Sequence, residues 1–163
     1  MFEKFGEMDS YEQLNELAKN LKAEGDLDSI RALAKENGLH RDIAEAFIED
    51  EMPFLCDPMM AALGKIEVEA KELKPKEIMA DWIEYLKTQC FEDDEMALAV
   101  RRKGKSMTGM IAEILKWSFG NQIPVDKEIL KTAKISANRV TLGIPGMEQA
   151  KKLIRGYYLG GGK

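Results

Sequence analysis

Met107-Thr108-Gly109-Met110-Ile111-Ala112-Glu113-Ile114-Leu115 sets Met107, Met110, Ile111, Ile114 and Leu115 at i, i+3, i+4, i+7 and i+8. That is the spacing of one side of an α-helix and not of a strand. It is the most regular apolar face in the chain, with Gly104 as a break before it and Gly120 as its end. The same period recurs on both sides. Upstream, Met96, Ala97 and Val100 continue a helix that starts at the acidic run Glu92-Asp93-Asp94-Glu95 and finishes at Arg101-Arg102-Lys103. Acid at the first turn and base at the last are what the helix dipole favours. Before it, Pro75 opens a helix whose stripe is Ile78, Trp82, Leu86 and Cys90.

Further upstream, Asp57-Pro58 is a cap followed by proline at the first helical position. Met59, Leu63 and Ile66 then predict a helix over 59–71 that leads into a charged linker. Pro53 breaks the chain ahead of it. In residues 1–52, Ser10-x-x-Gln13 forms a capping box with Leu14, Leu17 and Leu21 behind it, and Gly25 closes that helix. Asp26 caps a second helix carrying Leu27, Ile30, Leu33 and Ala34, which Asn37-Gly38 stops. A third runs from about His40 to Asp50 with Ile43 and Phe47 on one side. Downstream, Asp126 caps a helix with Ile129, Leu130 and Ala133. A last one, from Gly146 to about Tyr158, turns Met147, Ala150, Ile154 and Tyr157 inward. Val140-Thr141-Leu142 has extended character but is too short to found a sheet. The expectation is an all-α fold of seven to nine helices: a compact helical bundle with a small acidic three-helix unit over 1–52 and a helical body over 53–163.

Charge divides the chain differently. Residues 1–100 carry 25 Asp and Glu against 11 Lys and Arg, whereas residues 101–163 carry 4 against 13. The net charge of −5 therefore conceals a −14 half and a +9 half. Such asymmetry points to contact with a polyanion or with a protein that handles one. With 163 residues, 45% of them hydrophobic, the chain buries roughly two-thirds of its unfolded surface and needs no covalent staples. There is no 18-residue apolar run and no secretory leader at the start, so neither a membrane span nor export is expected. Cys56 and Cys90 lack metal-site or redox spacing and read as reduced thiols. The expected location is the cytoplasm.

Catalytic chemistry finds little to work with. His40 is the only histidine and sits at a helix start with no Ser or Cys nearby in sequence, so a triad on it is disfavoured. No HExxH, CxxC or EF-hand pattern occurs, and no cofactor or metal is expected. Successive carboxylates in Glu92–Glu95 point in different directions on a helix, which suits a solvated start better than a Mg²⁺ site. The Gly160-Gly161-Gly162 tail has no helix after it to hold a phosphate. Most of the ten methionines, Met107 and Met110 among them, read as core. The chain reads as non-enzymatic.

Two stretches suit nucleic acid. Residues 127–143 resemble a helix-turn-helix: Ile135 is the apolar turn residue, Ser136 the cap, and Val140 the packed position of a second helix over 136–142. Ala137, Asn138, Arg139 and Thr141 would face a groove, where Asn and Arg bond base edges bidentately. Lys134 occupies the turn position where such motifs usually have Gly. A helical corner on a basic face explains the pattern equally well. Arg101-Arg102-Lys103-Gly104-Lys105 is a second basic knot, suited to phosphate contact without base reading, or simply to a helix end. A single phosphate-binding surface results if Arg101, Arg102, Lys103 and Lys105 share a face with Lys131, Lys134, Arg139, Lys151, Lys152 and Arg155.

From Ile78 onward the chain resembles the PcfK-like proteins of conjugative plasmids and related mobile elements. That group is similar to one family of anti-CRISPR proteins that block a type II effector nuclease. The resemblance rests on Ile83-Glu84-Tyr85-Leu86, the acidic turn ending at Asp94, Ala97, Lys103-Gly104-Lys105-Ser106-Met107, Asp126-Lys127-Glu128 and Tyr157-Tyr158. It covers about half the chain, and residues 1–74 have no counterpart. It implies a non-enzymatic inhibitor or accessory protein that acts on nucleic-acid machinery. The partner would be a protein such as a CRISPR effector nuclease, or nucleic acid, and the acidic half could serve as a phosphate mimic. The alternative is a DNA-binding protein using the 136–142 helix.

Overall fold

The computed structural model describes residues 2–137 and 139–160. They form nine helices and one two-stranded ribbon, in the order α1 (Tyr11–Ala23), α2 (Leu27–Glu36), α3 (Arg41–Ile48), α4 (Pro58–Leu73), α5 (Ile78–Glu92), α6 (Asp94–Arg101), α7 (Met107–Gly120), β1 (Ile123–Pro124), α8 (Lys127–Thr132), β2 (Thr141–Leu142) and α9 (Met147–Leu159). The architecture is all-α.

The caps explain where most helices begin. Ser10, Asp26, Asp57, Asp93 and Ser106 each accept a backbone N–H from the first turn of the helix that follows. These bonds satisfy donors that a helix N-terminus otherwise leaves open. His40 does the same for α3, its Nδ1 accepting from the Asp42 N–H. α5 begins three residues after Pro75, because Glu77 adopts a left-handed φ of 52° that delays helix entry.

Two apolar cores form. One gathers Leu14, Ala18, Ile30, Leu33, Ala44 and Phe47 from α1–α3. It runs past Pro53 to take in Leu55, Cys56 and Ala61, because Asn15 of α1 clamps the connector from both sides. Its Nδ2 donates to the Cys56 carbonyl and its Oδ1 accepts from the Cys56 N–H. The acidic unit is thus larger than its expected limit at residue 52. The second core joins α4 from Ala62 onward with α5, α6, α7 and α9, through residues such as Ile66, Leu86, Met96, Met110 and Ile154. α4 serves both cores, and Gly38 meets it at Gly64 in backbone-to-backbone contact. Both thiols are fully enclosed, and desolvation pushes each up to about 12.

At the carboxyl end the expected inward set of α9 is partly corrected. Ala150 and Ile154 are buried, but Tyr158 enters the core in place of Tyr157, and Met147 is exposed. Tyr157 instead sits half-buried, its hydroxyl accepting from the Ser106 N–H at the start of α7.

Candidate binding surface

The basic residues singled out from the sequence do not form one surface. Arg101 is the clearest correction. It is only 1% exposed, its Nη2 donates to Asn37 Oδ1 at 2.9 Å, and the Phe2 ring lies 5.5 Å from the guanidinium. It ends α6 where that helix meets α4 between the two cores, so it is not open to a phosphate chain. Arg155 is committed as well: it donates to Gln89 and to Asp93 Oδ2 at 3.0 Å, tying α9 to the α5–α6 junction. That bond holds the Asp93 carboxyl below the usual range. Lys105 donates to the Tyr157 carbonyl and lies over the Tyr157 ring, and Lys151 lies over the Tyr85 ring.

Arg102, Lys103, Lys134, Ser136, Arg139 and Lys152 are exposed. Arg102 and Lys103 stand just before α7, whereas Lys134 and Arg139 follow it. α7 has 14 residues, which separates its ends by about 21 Å at 1.5 Å per residue. The basic knot thus adjoins the start of α7 and the arm is rooted at its other end, while Lys151, Lys152 and Arg155 belong to α9.

The expected second helix over 136–142 does not form. α8 is closed by Lys134, whose φ is 56°, with the Lys134 N–H on the Lys131 carbonyl and the Ile135 N–H on the Leu130 carbonyl. Those bonds are a helix C-cap. Ser136, Ala137, Arg139 and Val140 then lie outside any helix, and Thr141–Leu142 pairs antiparallel with Ile123–Pro124. The Val125 N–H also donates to the Val140 carbonyl at 2.9 Å. The β-branched pair Val140-Thr141 suits this ladder better than a helix. Thr141 spends its hydroxyl on Gln122 at 2.8 Å. Asn138 lies outside the described residues.

Residues 121–137 and 139–144 thus make an arm rather than a helix-turn-helix. α8 contributes nothing to a core: none of its residues is buried. Ile123 and Leu142 are cross-strand partners, so their side chains share a face, and both are exposed along with Ile129 and Ile144. The arm is fastened at its root, where a Cβ on Gly143 would come within 2.6 Å of the Ser118 carbonyl oxygen. Beside the root lies an apolar groove of about 340 Å³, lined by Ile78, Trp82, Ile111, Leu115, Phe119 and Ile144 among others. Phe119 is 73% exposed and Leu115 54%. The Trp82 Nε1–H is buried without a partner. Along the arm, Lys127, Lys131, Lys134 and Arg139 outnumber Asp126 and Glu128. Asp126 accepts the Glu128 N–H at the start of α8.

Sequence periodicity missed this surface because Ile78, Trp82, Ile111 and Leu115 have core spacing, and nothing local reveals that Leu115 and Phe119 of α7 stay exposed. The usable signal was Phe119 directly before Gly120, with Ile123-Pro124 and Ile144-Pro145 on either side of a basic segment.

Among the described residues, no three His, Cys, Asp or Glu side chains are placed to hold a metal ion, and no helix is long and apolar enough to cross a membrane. The chain matches no protein family, no curated protein and no solved structure.

Proposed function

We propose that this chain is a non-catalytic binding protein of a mobile genetic element that docks onto nucleic-acid machinery through the groove and the arm. The observation that carries the reading is the uncovered apolar surface of Leu115, Phe119, Ile123, Leu142 and Ile144 beside a basic segment. Contiguous apolar surface rimmed by charge is what a partner protein covers. The excess of base along the arm favours a partner whose contact face is acidic, or one that holds phosphate nearby. The resemblance over residues 78–158 supports a mobile-element setting and an effector nuclease as partner.

Phe119 is the natural anchor, since exposed aromatics that become buried dominate interface energies. The test is titration of the chain into a cleavage reaction of a type II CRISPR effector, with sizing chromatography of the mixture. Inhibition and co-elution are expected, both weakened at least tenfold by Phe119→Asp. Normal cleavage with separate elution refutes the effector assignment. Inhibition that Phe119→Asp leaves intact refutes the groove and arm as the contact. A salt-sensitive shift of duplex DNA that survives Phe119→Asp but is lost with Arg139→Ala turns the reading toward nucleic acid.

A further inference from the structure

Residues 2–9 form a strap with no helix or strand. It is held by the Lys4 and Phe5 N–H groups donating to Glu36, by Lys4 Nζ donating to Ser29, by Asp9 Oδ1 accepting from the Lys103 N–H, and by Phe5 and Met8 packing against the α1–α3 core. Phe2 has a left-handed φ of 50°, an unfavourable conformation for a bulky residue. Beneath the strap lie two cations, Lys65 of α4 and Arg101 of α6, each only 1% exposed. Burying like charges together is costly unless an anion sits between them. The strap supplies one: Glu7 Oε1 accepts from Lys65 Nζ at 2.6 Å. Glu7 is also the carboxylate acting most strongly on Arg101, yet Arg101 Nε and Nη1 remain buried without partners. Two further carboxylates are near: Glu69, which stands 3.9 Å from Lys65 Nζ and accepts the Met107 N–H, and Asp9 of the strap, which also acts on Arg101. Glu7 therefore answers one of the two cations by hydrogen bonding and leaves the other with donors to spare.

We propose that Lys65 and Arg101 form a phosphate-monoester site that the chain's own Glu7 plugs, and that the strap lifts to admit the ligand. A phosphate group brings nearly two negative charges and three acceptor oxygens, and so can take the place of the strap's carboxylates while meeting the guanidinium donors that they leave unpaired. Phe2 closes the other side as a lid over the guanidinium. The site is separate from the groove and the arm, so it stands or falls independently of the proposed function.

The experiment uses the full chain and its Glu7→Gln variant. Melting temperature and isothermal titration are followed with inorganic phosphate, with a nucleoside 5′-monophosphate, and with sodium chloride at matched ionic strength. Glu7→Gln weakens the plug, so a saturable rise in melting temperature is expected, with affinity at least tenfold tighter than for the unmodified chain. Adding Lys65→Met to Glu7→Gln should abolish it. A stronger response to the monophosphate than to inorganic phosphate assigns the ligand to a phosphorylated small molecule, and equal responses assign it to free phosphate. A response no greater than chloride's, or one that Lys65→Met leaves unchanged, overturns the site. If Glu7→Gln is unfolded in plain buffer, phosphate must refold it, and failure to do so overturns the proposal. In the unmodified chain, saturating phosphate must speed hydrogen exchange at the Lys4 and Phe5 amides, and unchanged exchange counts equally against it.

Discussion

Replacing Gly64 by alanine sets two effects of opposite sign against each other. Gly64 lies inside α4, where alanine is intrinsically better than glycine by about 1 kcal/mol. A Cβ there would, however, lie 2.2 Å from the Asn37 carbonyl oxygen, against an ordinary contact of 3.4–4 Å. The obstacle is backbone on both sides, so no side chain can rotate away, and α4 must move by more than 1 Å from the turn after α2. Close-packed interiors yield little, and overpacking of this kind costs about 1–3 kcal/mol or more. We expect the upper end, offset by the propensity gain, for a net loss of about 2 kcal/mol. In a chain of this size that lowers the melting temperature by roughly 4–8 °C. Gly25→Ala is the control. Gly25 has φ +76° with nothing within 4 Å of the added carbon, so it should lose only about 1–2 kcal/mol from the left-handed backbone. Gly38→Ala, with φ +70° and a 2.2 Å approach to the Gly64 carbonyl oxygen, combines both penalties and should be the least stable of the three. Thermal and urea denaturation followed by circular dichroism give the order. A Gly64→Ala variant as stable as the unmodified chain, or more so, refutes the backbone contact that locks the α2–α3 turn onto α4.

Other consequences follow from groups held away from water or in tight pairs. Burial raises the pKa of Glu69, so the folded chain keeps that proton to higher pH than the unfolded chain, and stability is lost as pH rises from about the unfolded value, 4.5, through the folded one. Glu69→Gln keeps an acceptor for Met107 and should gain on the unmodified chain across that rise in a urea series from pH 4 to 8; a gain that shrinks with pH would be the wrong sign. Glu45 runs the other way. Its bond from Arg31 holds its pKa down to about 2, so its contribution is full above 4.5 and fades as pH falls toward 2, and Glu45→Gln should flatten that part of the acid-denaturation curve. Finally, with Cys56 and Cys90 pushed up to about 12, only ~10⁻⁴ of either thiol is thiolate at pH 8, which starves alkylation. Iodoacetamide should label neither in the folded chain and both in urea, and prompt labelling of the folded chain would contradict the enclosed cores.

Where sequence and structure agree, the information is local. Ser10, Asp26 and Asp57-Pro58 announce helix starts because a cap is a contact among neighbours in the chain. Met107, Met110 and Ile114 are buried as their spacing requires. Where they disagree, the deciding contact is distant. Ile129, Leu130 and Ala133 look like a core face, but none of them is buried and Ile129 is 60% exposed. Ser136 to Leu142 carries the letters of a second helix, yet its fate is set by Ile123–Val125, more than ten residues earlier, which offers a ladder to Val140–Leu142.

The cations teach a sharper lesson, since one was misassigned and one overlooked. Arg101 looks like part of an exposed knot when taken with Arg102 and Lys103. Taken with Ala97 and Val100, it stands at i+4 and i+1 on the buried stripe of α6. Lys65 likewise falls between Ala62, Ile66 and Glu69 on the buried side of α4. A lysine or arginine at helical spacing within an apolar stripe is pulled inward by its neighbours, and it must then find an anion inside the molecule. Lys65 finds Glu7, brought from 58 residues away in sequence by a strap with no regular structure, whereas Arg101 donates to the neutral Asn37 and keeps two donors unpaired. The sum of charges over residues 101–163 counts Arg101 as surface charge, but folding converts it into part of an internal site. The positive charge left on the surface is scattered, from Arg102 and Lys103 ahead of α7 through Lys116 and Lys152 to the arm, and the most exposed large apolar side chains, Phe119, Ile123, Leu142 and Ile144, lie with the arm. Charge and exposed apolar area coincide at the groove and the arm, and the proposed docking face rests on that coincidence rather than on the overall asymmetry.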